Sequence, residues 1–121
     1  MNSDAVVNSD SKYIVKTTGI GSETNEELVD ANKLAGGTDQ SKVSLIECYY
    51  IIESVGSTAG KLIIDVDTPA TEGGFKKMTL TNSGKYGLRP EQLKFGNDKI
   101  FKLTTDSNVR KYLLVTEFRR N

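Results

Sequence analysis

Lys42-Val43-Ser44-Leu45-Ile46-Glu47-Cys48-Tyr49-Tyr50-Ile51-Ile52 is the stretch on which the fold turns. β-Branched and aromatic residues dominate it. Period-two alternation places Ile46, Cys48, Tyr50 and Ile52 on one face and Leu45, Glu47, Tyr49 and Ile51 on the other. Apolar groups on both faces predict a strand that is central to its sheet. Arg110 to Phe118 has the same character, with Tyr112, Leu114, Thr116 and Phe118 on one side and Lys111, Leu113, Val115 and Glu117 on the other. It predicts a second interior strand.

Ala59 to Val66 alternates cleanly, Leu62, Ile64 and Val66 against Lys61, Ile63 and Asp65, as a half-exposed strand does. Ser54-Val55-Gly56-Ser57-Thr58 between it and the first run has the length of a hairpin loop. Lys12 to Thr18 puts Tyr13, Val15 and Thr17 on one face. Phe75 to Thr81 offers Met78 and Leu80 to a core, and Lys85 to Leu88 and Asp98 to Leu103 add short extended pieces. Thr24 to Gly37 supports two readings. Thr24-Asn25-Glu26-Glu27 resembles a capping box ahead of helically spaced Leu28, Ala31, Leu34 and Ala35. The favoured alternative is a short strand through Glu27-Leu28-Val29 with Asp30 capping one turn to Ala35. Residues 67–74 read as a loop around Pro69. Arg89-Pro90-Glu91-Gln92-Leu93 reads as one helical turn with proline first, and Phe95 as a plug at the core edge.

About eight β-type runs cut by Gly, Asn, Asp and Ser predict an all-β fold. The expected architecture is a two-layer β-sandwich, jelly-roll or Ig-like, of about seven to nine short strands with one or two single-turn helices. Residues 1–11 are expected to be a flexible N-terminal arm, and residues 12–121 a single β-sandwich domain. Within the arm, Ala5-Val6-Val7 suits pairing against a neighbouring sheet edge in an assembly.

Composition narrows the function. At 121 residues, the length fits one domain. Charged residues at 26% and a mean hydropathy of −0.40 match a water-exposed globular surface. No apolar run approaches the roughly 18 residues of a membrane span. Met1-Asn2-Ser3-Asp4 resembles no secretory leader, which predicts synthesis in a cytoplasm. There is no histidine, so the commonest general base and metal ligand is missing, and binding is favoured over catalysis. Cys48 is the only cysteine, which rules out an intrachain disulfide and suits a buried apolar position. The net charge of zero hides an asymmetry: residues 1–60 sum to −5 and residues 61–121 to +5. Two oppositely charged faces are one outcome, and interleaved strands that mix the charges are the other.

Motifs with chemical content are few. Asp65 and Asp67 point to one face of an extended chain and, with Glu72, offer oxygens to calcium or magnesium; a strand edge kept soluble by charge is the plainer reading. Gly19-x-Gly21 imitates a dinucleotide fingerprint without the following βαβ unit, so a turn is expected. Lys76-Lys77, Arg110-Lys111 and Arg119-Arg120, with Tyr86 and Tyr112, contain the ingredients of a single-strand nucleic-acid stripe. A pI near 6.3 argues for solvated strand faces instead. Tyr49 and Tyr50 point opposite ways, so one at most is available as an exposed stacking platform.

The order of segments resembles a family. Residues 29–37 (VDANKLAGG), an aromatic-bearing strand, Gly60-Lys61-Leu62-Ile63-Ile64-Asp65, Ser83-Gly84-Lys85-Tyr86-Gly87-Leu88, residues 99–106 and residues 112–119 together look like small virion structural proteins of tailed bacteriophages, of the marine and cyanobacterial type. The likeness spans roughly residues 28–121; relatives often carry a tryptophan beside the aspartate of the third run, where this chain has Ile64-Asp65. The resemblance implies a capsid decoration or cement protein on the virion surface, not an enzyme, with no cofactor and no metal. Its implied partners are the major capsid protein and further copies of itself on the capsid lattice, without nucleic acid or membrane. Ala5, Val6, Val7, Arg119 and Arg120 are the candidate partner-binding residues. A tail or neck component is the alternative, as is a carbohydrate- or receptor-binding sandwich module using an exposed tyrosine beside Asp65 and Asp67.

Overall fold

In the computed structural model, which describes residues 1–38, 40–66, 77–86 and 99–120, the alternating runs become strands of two antiparallel sheets. Strands account for 71% of the described residues. The first sheet holds β1 (Asn2–Asn8), β2 (Lys12–Ile20), β4 (Val43–Ser54), β7 (Ser83–Tyr86) and β9 (Val109–Arg120) in the order β1-β2-β9-β4-β7. The second holds β3 (Glu23–Asp30), β5 (Lys61–Val66), β6 (Lys77–Thr81) and β8 (Ile100–Thr105) in the order β3-β8-β5-β6.

Burial follows the predicted alternation closely in β9. Tyr112, Leu114, Thr116 and Phe118 are all buried, and β9 lies in the middle of its sheet between β2 and β4. Val15 and Thr17 of β2, Leu62 and Ile64 of β5, and Met78 and Leu80 of β6 are buried as their spacing predicts. One apolar cluster draws on both sheets. At its centre the rings of Phe101 on β8 and Phe118 on β9 meet edge-on, with centroids 5.1 Å apart.

In the ambiguous Thr24–Gly37 region the strand wins over the helix. β3 runs to Asp30, whose carboxylate accepts from the Asn32 N–H at 3.0 Å and caps a single 3-10 turn, Ala31–Lys33, shorter than the turn expected to reach Ala35. Residues 89–93, Phe95 and the loop at 67–74 lie outside the described residues.

Three expectations need correction. In β4 the alternation holds only from Glu47 onward. A β-bulge between Leu45 and Glu47 absorbs Ile46, so Leu45 is buried at 2% exposure on the core face where strict alternation places Ile46. Residues 54–58 are not a hairpin loop, since β4 and β5 belong to different sheets and this segment carries the chain between layers. Residues 2–8, expected to be part of a flexible arm, form β1 and pair with β2 of the same chain, so no neighbouring molecule is needed to order them. Of the two outcomes for the oppositely charged halves, the interleaved one holds, because β9 is hydrogen-bonded between β2 and β4 and the halves neutralise each other locally. Lys85 contacts Glu47 at 3.6 Å, and Arg110 and Lys111 contact Glu53 at 3.5 and 3.4 Å.

The corners between sheets are fastened by short-range chemistry. Gly21 turns the chain from β2 to β3 with φ of +76°, a left-handed conformation that glycine adopts without strain. There the Thr105 hydroxyl donates to the Gly21 carbonyl at 3.1 Å and accepts from the Glu23 N–H at 2.7 Å, tying β8 to the corner.

Candidate interaction surface

The two sheets differ sharply on the faces turned away from the shared core. On the second sheet, described residues pointing outward include Lys61, Asp65, Thr79, Thr81, Lys102 and Thr104, with Ile63 among them. On the first sheet the outward positions of β4 and β9 are apolar. Tyr49 lies opposite Val115 and Ile51 opposite Leu113, so four apolar side chains form a two-by-two block. Tyr49 is 49% exposed and Ile51 58%. Ile20, on β2 at one end of this face, is 84% exposed, and Ile14 lies at the other end.

Charges bracket the block along the strand direction. Beyond Ile51 and Leu113 come Glu53 and Lys111, with Arg110 also contacting the Glu53 carboxylate. Beyond Tyr49 and Val115, Glu47 lies directly opposite Glu117. Like charges in that relation repel. Lys85 relieves part of this, with its ammonium 3.6 Å from Glu47 and 5.0 Å from the centre of the Tyr49 ring. Its pKa is raised, first by hydrogen bonding to Tyr49 and then by the Glu47 charge. Depressions on either side of Ile51 and Leu113 reach Glu53 and Lys111 at one end and Tyr49 and Val115 at the other.

The candidate partner-binding residues gather at one end of the same sheet. Val7 lies opposite Ile14, which in turn lies opposite Glu117, while Arg119 lies between Lys12 and Ser44. The Arg120 guanidinium donates to the Ser9 carbonyl at 2.7 Å, bracing the β1–β2 turn. Val6 sits at a bulge in β1 and is 63% exposed, and Ala5 and Arg119 are exposed as well. Among the described residues β1 is the edge of its sheet, with β2 as its one ladder partner.

Other candidates from the sequence do not assemble. Asp65 belongs to the second sheet, and Asp67 and Glu72 lie outside the described residues; among the described residues no three acidic or cysteine side chains converge on a metal-sized point. Asp65 is also in a different sheet from exposed Tyr49, so no tyrosine–aspartate sugar platform forms between them. Arg110-Lys111 and Arg119-Arg120 occupy opposite ends of β9, about 30 Å apart at strand rise. Tyr112 is buried at 4% exposure with its hydroxyl donating to Glu23, so it cannot stack on a base. Cys48 is fully buried, and burial pushes its thiol up to about 12, against any nucleophilic use near neutrality.

Comparison with known families, curated proteins and solved structures finds no match to this chain. The apolar block escaped the sequence reading although its signal was present. Apolar residues on both faces of residues 42–52 and 110–118 predicted interior strands, which both are, but not that the two are neighbours whose second faces add up to one open surface.

Proposed function

We propose that this chain is a virion structural protein of the capsid decoration or cement type, acting through protein–protein contacts. The observation that carries the proposal is the outward-facing block of exposed Tyr49 and Ile51 with half-buried Leu113 and Val115. Folding does not account for it, because the core lies on the other face of the same strands. A contiguous apolar surface rimmed by charge is characteristic of contact sites between proteins. The two sheets sharing one core, joined by a chain that passes repeatedly between them, support a two-layer β-sandwich of jelly-roll or Ig-like type. In this proposal Ala5, Val6, Val7, Arg119 and Arg120 at the β1 end meet the shell, and repetition over a lattice turns modest contacts into avidity.

The test is mass spectrometry and cryo-electron microscopy of gradient-purified particles from a phage encoding this chain. Stoichiometric presence on the head surface is expected, with loss of occupancy when Val6 and Arg119 are both changed to Glu. Absence from particles overturns the proposal, and density at the tail or neck moves the chain to that part of the virion.

A second reading is favoured by Tyr49 alone. Its half-exposed ring beside Glu47 and Lys85 has the elements of a carbohydrate platform. The flanking Ile51, Leu113 and Val115 suit a protein better than a sugar. Glycan binding that disappears in Tyr49→Ala would reverse that preference.

A further inference from the structure

We infer that the occupant of the apolar face is a second copy of this chain, packed sheet to sheet about a two-fold axis that runs across the strands. The inference deepens the reading of this face as a contact surface and does not depend on the virion assignment.

The pattern of the face is self-complementary in one orientation. Along β4 and β9 it runs from a cationic end, where Arg110 and Lys111 share the single carboxylate of Glu53, through the apolar block, to an anionic end, where Glu47 and Glu117 face each other. A two-fold axis perpendicular to the strands reverses strand direction between copies. It lays Leu113 over Val115 of the second copy and Ile51 over Tyr49. It also lays Lys111 over Glu117 and Glu53 over Glu47 of the second copy, twice by symmetry, with Arg110 adding the positive charge that keeps the Glu53 end cationic. On β2 the same operation brings Ile20, 84% exposed, over Ile14 of the second copy. Apolar thus meets apolar at the corners, and the cationic end meets the anionic one.

The other in-plane axis, parallel to the strands, fails on charge. It would set Lys111 over Glu53 of the second copy, where Arg110 and Lys111 already hold that carboxylate, while stacking the two Glu47–Glu117 pairs on each other, four carboxylates together, and bringing Lys16 towards Lys85. Among the described residues Lys85 gives Glu47 partial relief and Glu117 has no ion pair, so Glu117 is the carboxylate that a second copy's Lys111 would neutralise. Sheets packed in this way stand about 10 Å apart with interdigitated side chains, room enough for Ile51 and Leu113 to fill the gap.

Sedimentation velocity and light scattering on the purified chain test the inference. A concentration-dependent dimer that weakens with salt is expected. Ile51→Glu puts a charge at the centre of the interface twice over, and should weaken the dimer by about 100-fold or more while leaving the far-UV circular dichroism unchanged. Glu117→Lys discriminates between the two axes. It weakens the dimer in the proposed orientation, where it meets Lys111, and strengthens it in the parallel one, where it meets Glu47. Lys111→Glu combined with Glu117→Lys in one chain should restore association, as should mixing the two single variants. A monomer at all concentrations up to about 1 mM, a scale at which even weak contacts show, overturns the inference, and so does a dimer indifferent to Ile51→Glu. Since these measurements need no particles, a monomer that still decorates capsids removes the dimer alone, whereas a dimer absent from capsids removes the virion reading alone.

Discussion

Gly19→Ala should destabilise the fold through one ring. In the β2–β9 register Gly19 lies opposite Tyr112, whose side chain crosses over the glycine so closely that a Cβ there would stand 2.6 Å from both Cε1 and the hydroxyl oxygen. The ring takes this path to donate from its hydroxyl to Glu23 Oε2 at 3.1 Å, which links the first sheet to β3 in the second. A methyl group forces the ring aside. Overpacking of this kind costs about 1–3 kcal/mol, and the lost hydrogen bond to a carboxylate about 1.5–3 kcal/mol. Against them stands a gain of about 0.4–1 kcal/mol from the stiffer unfolded chain. The net expectation is a loss of about 2–4 kcal/mol. Without tryptophan in the chain, urea unfolding is best followed by far-UV circular dichroism. Tyr112→Phe removes the hydroxyl and its bond but keeps the ring, so Gly19→Ala should cost about 1–2 kcal/mol less in that background. A Gly19→Ala loss below about 0.5 kcal/mol, or losses from the two changes that simply add, would show that Tyr112 does not hold its ring over Gly19 in this way.

Three further expectations concern single groups. Thr116 lies fully buried on β9 with a hydroxyl that finds no hydrogen-bond partner among the described residues, so Thr116→Val should stabilise by about 1 kcal/mol, read as a rise in urea midpoint at constant slope. Burial raises the Cys48 thiol from 9.0 to about 12, so the folded state keeps a proton that the unfolded chain releases. The associated stability is complete below pH 9 and is lost as pH climbs towards 12, about 4 kcal/mol in all. Cys48→Ala should flatten that part of the alkaline unfolding profile, and an unchanged profile would refute the assignment. Glu117→Gln should stabilise the monomer by a few tenths of a kcal/mol by relieving repulsion with Glu47, yet weaken self-association, so midpoint and dimer constant move in opposite senses.

The sequence disclosed most where local spacing decided the outcome. Alternation in residues 110–118 assigned Tyr112, Leu114, Thr116 and Phe118 of β9 correctly, because that part of the strand is flanked on both edges; it stops short of Val109, buried at 1% beyond a register shift against β4. It failed at Ile46, where the frame of β4 shifts. The bulge is a property of how β4 fits against Phe118 and Glu117 across the ladder, and nothing in the neighbourhood of Ile46 along the chain encodes that fit. Residues 54–58 have the length of a hairpin loop whether the next strand pairs with β4 or crosses to the other sheet, so length could not choose. Residues 2–8 are poor in apolar groups. Their order comes from a ladder with β2 and from details such as the Ser3 hydroxyl 3.2 Å from the Thr17 hydroxyl, which are partnerships at a distance in sequence.

The same separation between local and distant information explains the face on which the proposed function depends. Each of β4 and β9 taken alone carries apolar residues on two sides, and the economical inference for each is burial on both. Adjacency changes its meaning: two second faces side by side make one surface, and the core already has its own set of side chains from the same strands. A sheet stabilised from within has no need of a half-exposed Ile51 beside Tyr49, nor of Glu47 set directly against Glu117, and each feature costs the isolated chain something. Both costs vanish together when an apolar surface with a cationic end covers the face. This chain carries such a surface itself, between Arg110–Lys111 and Val115, which is why a second copy satisfies the face better than a partner chosen for hydrophobicity alone.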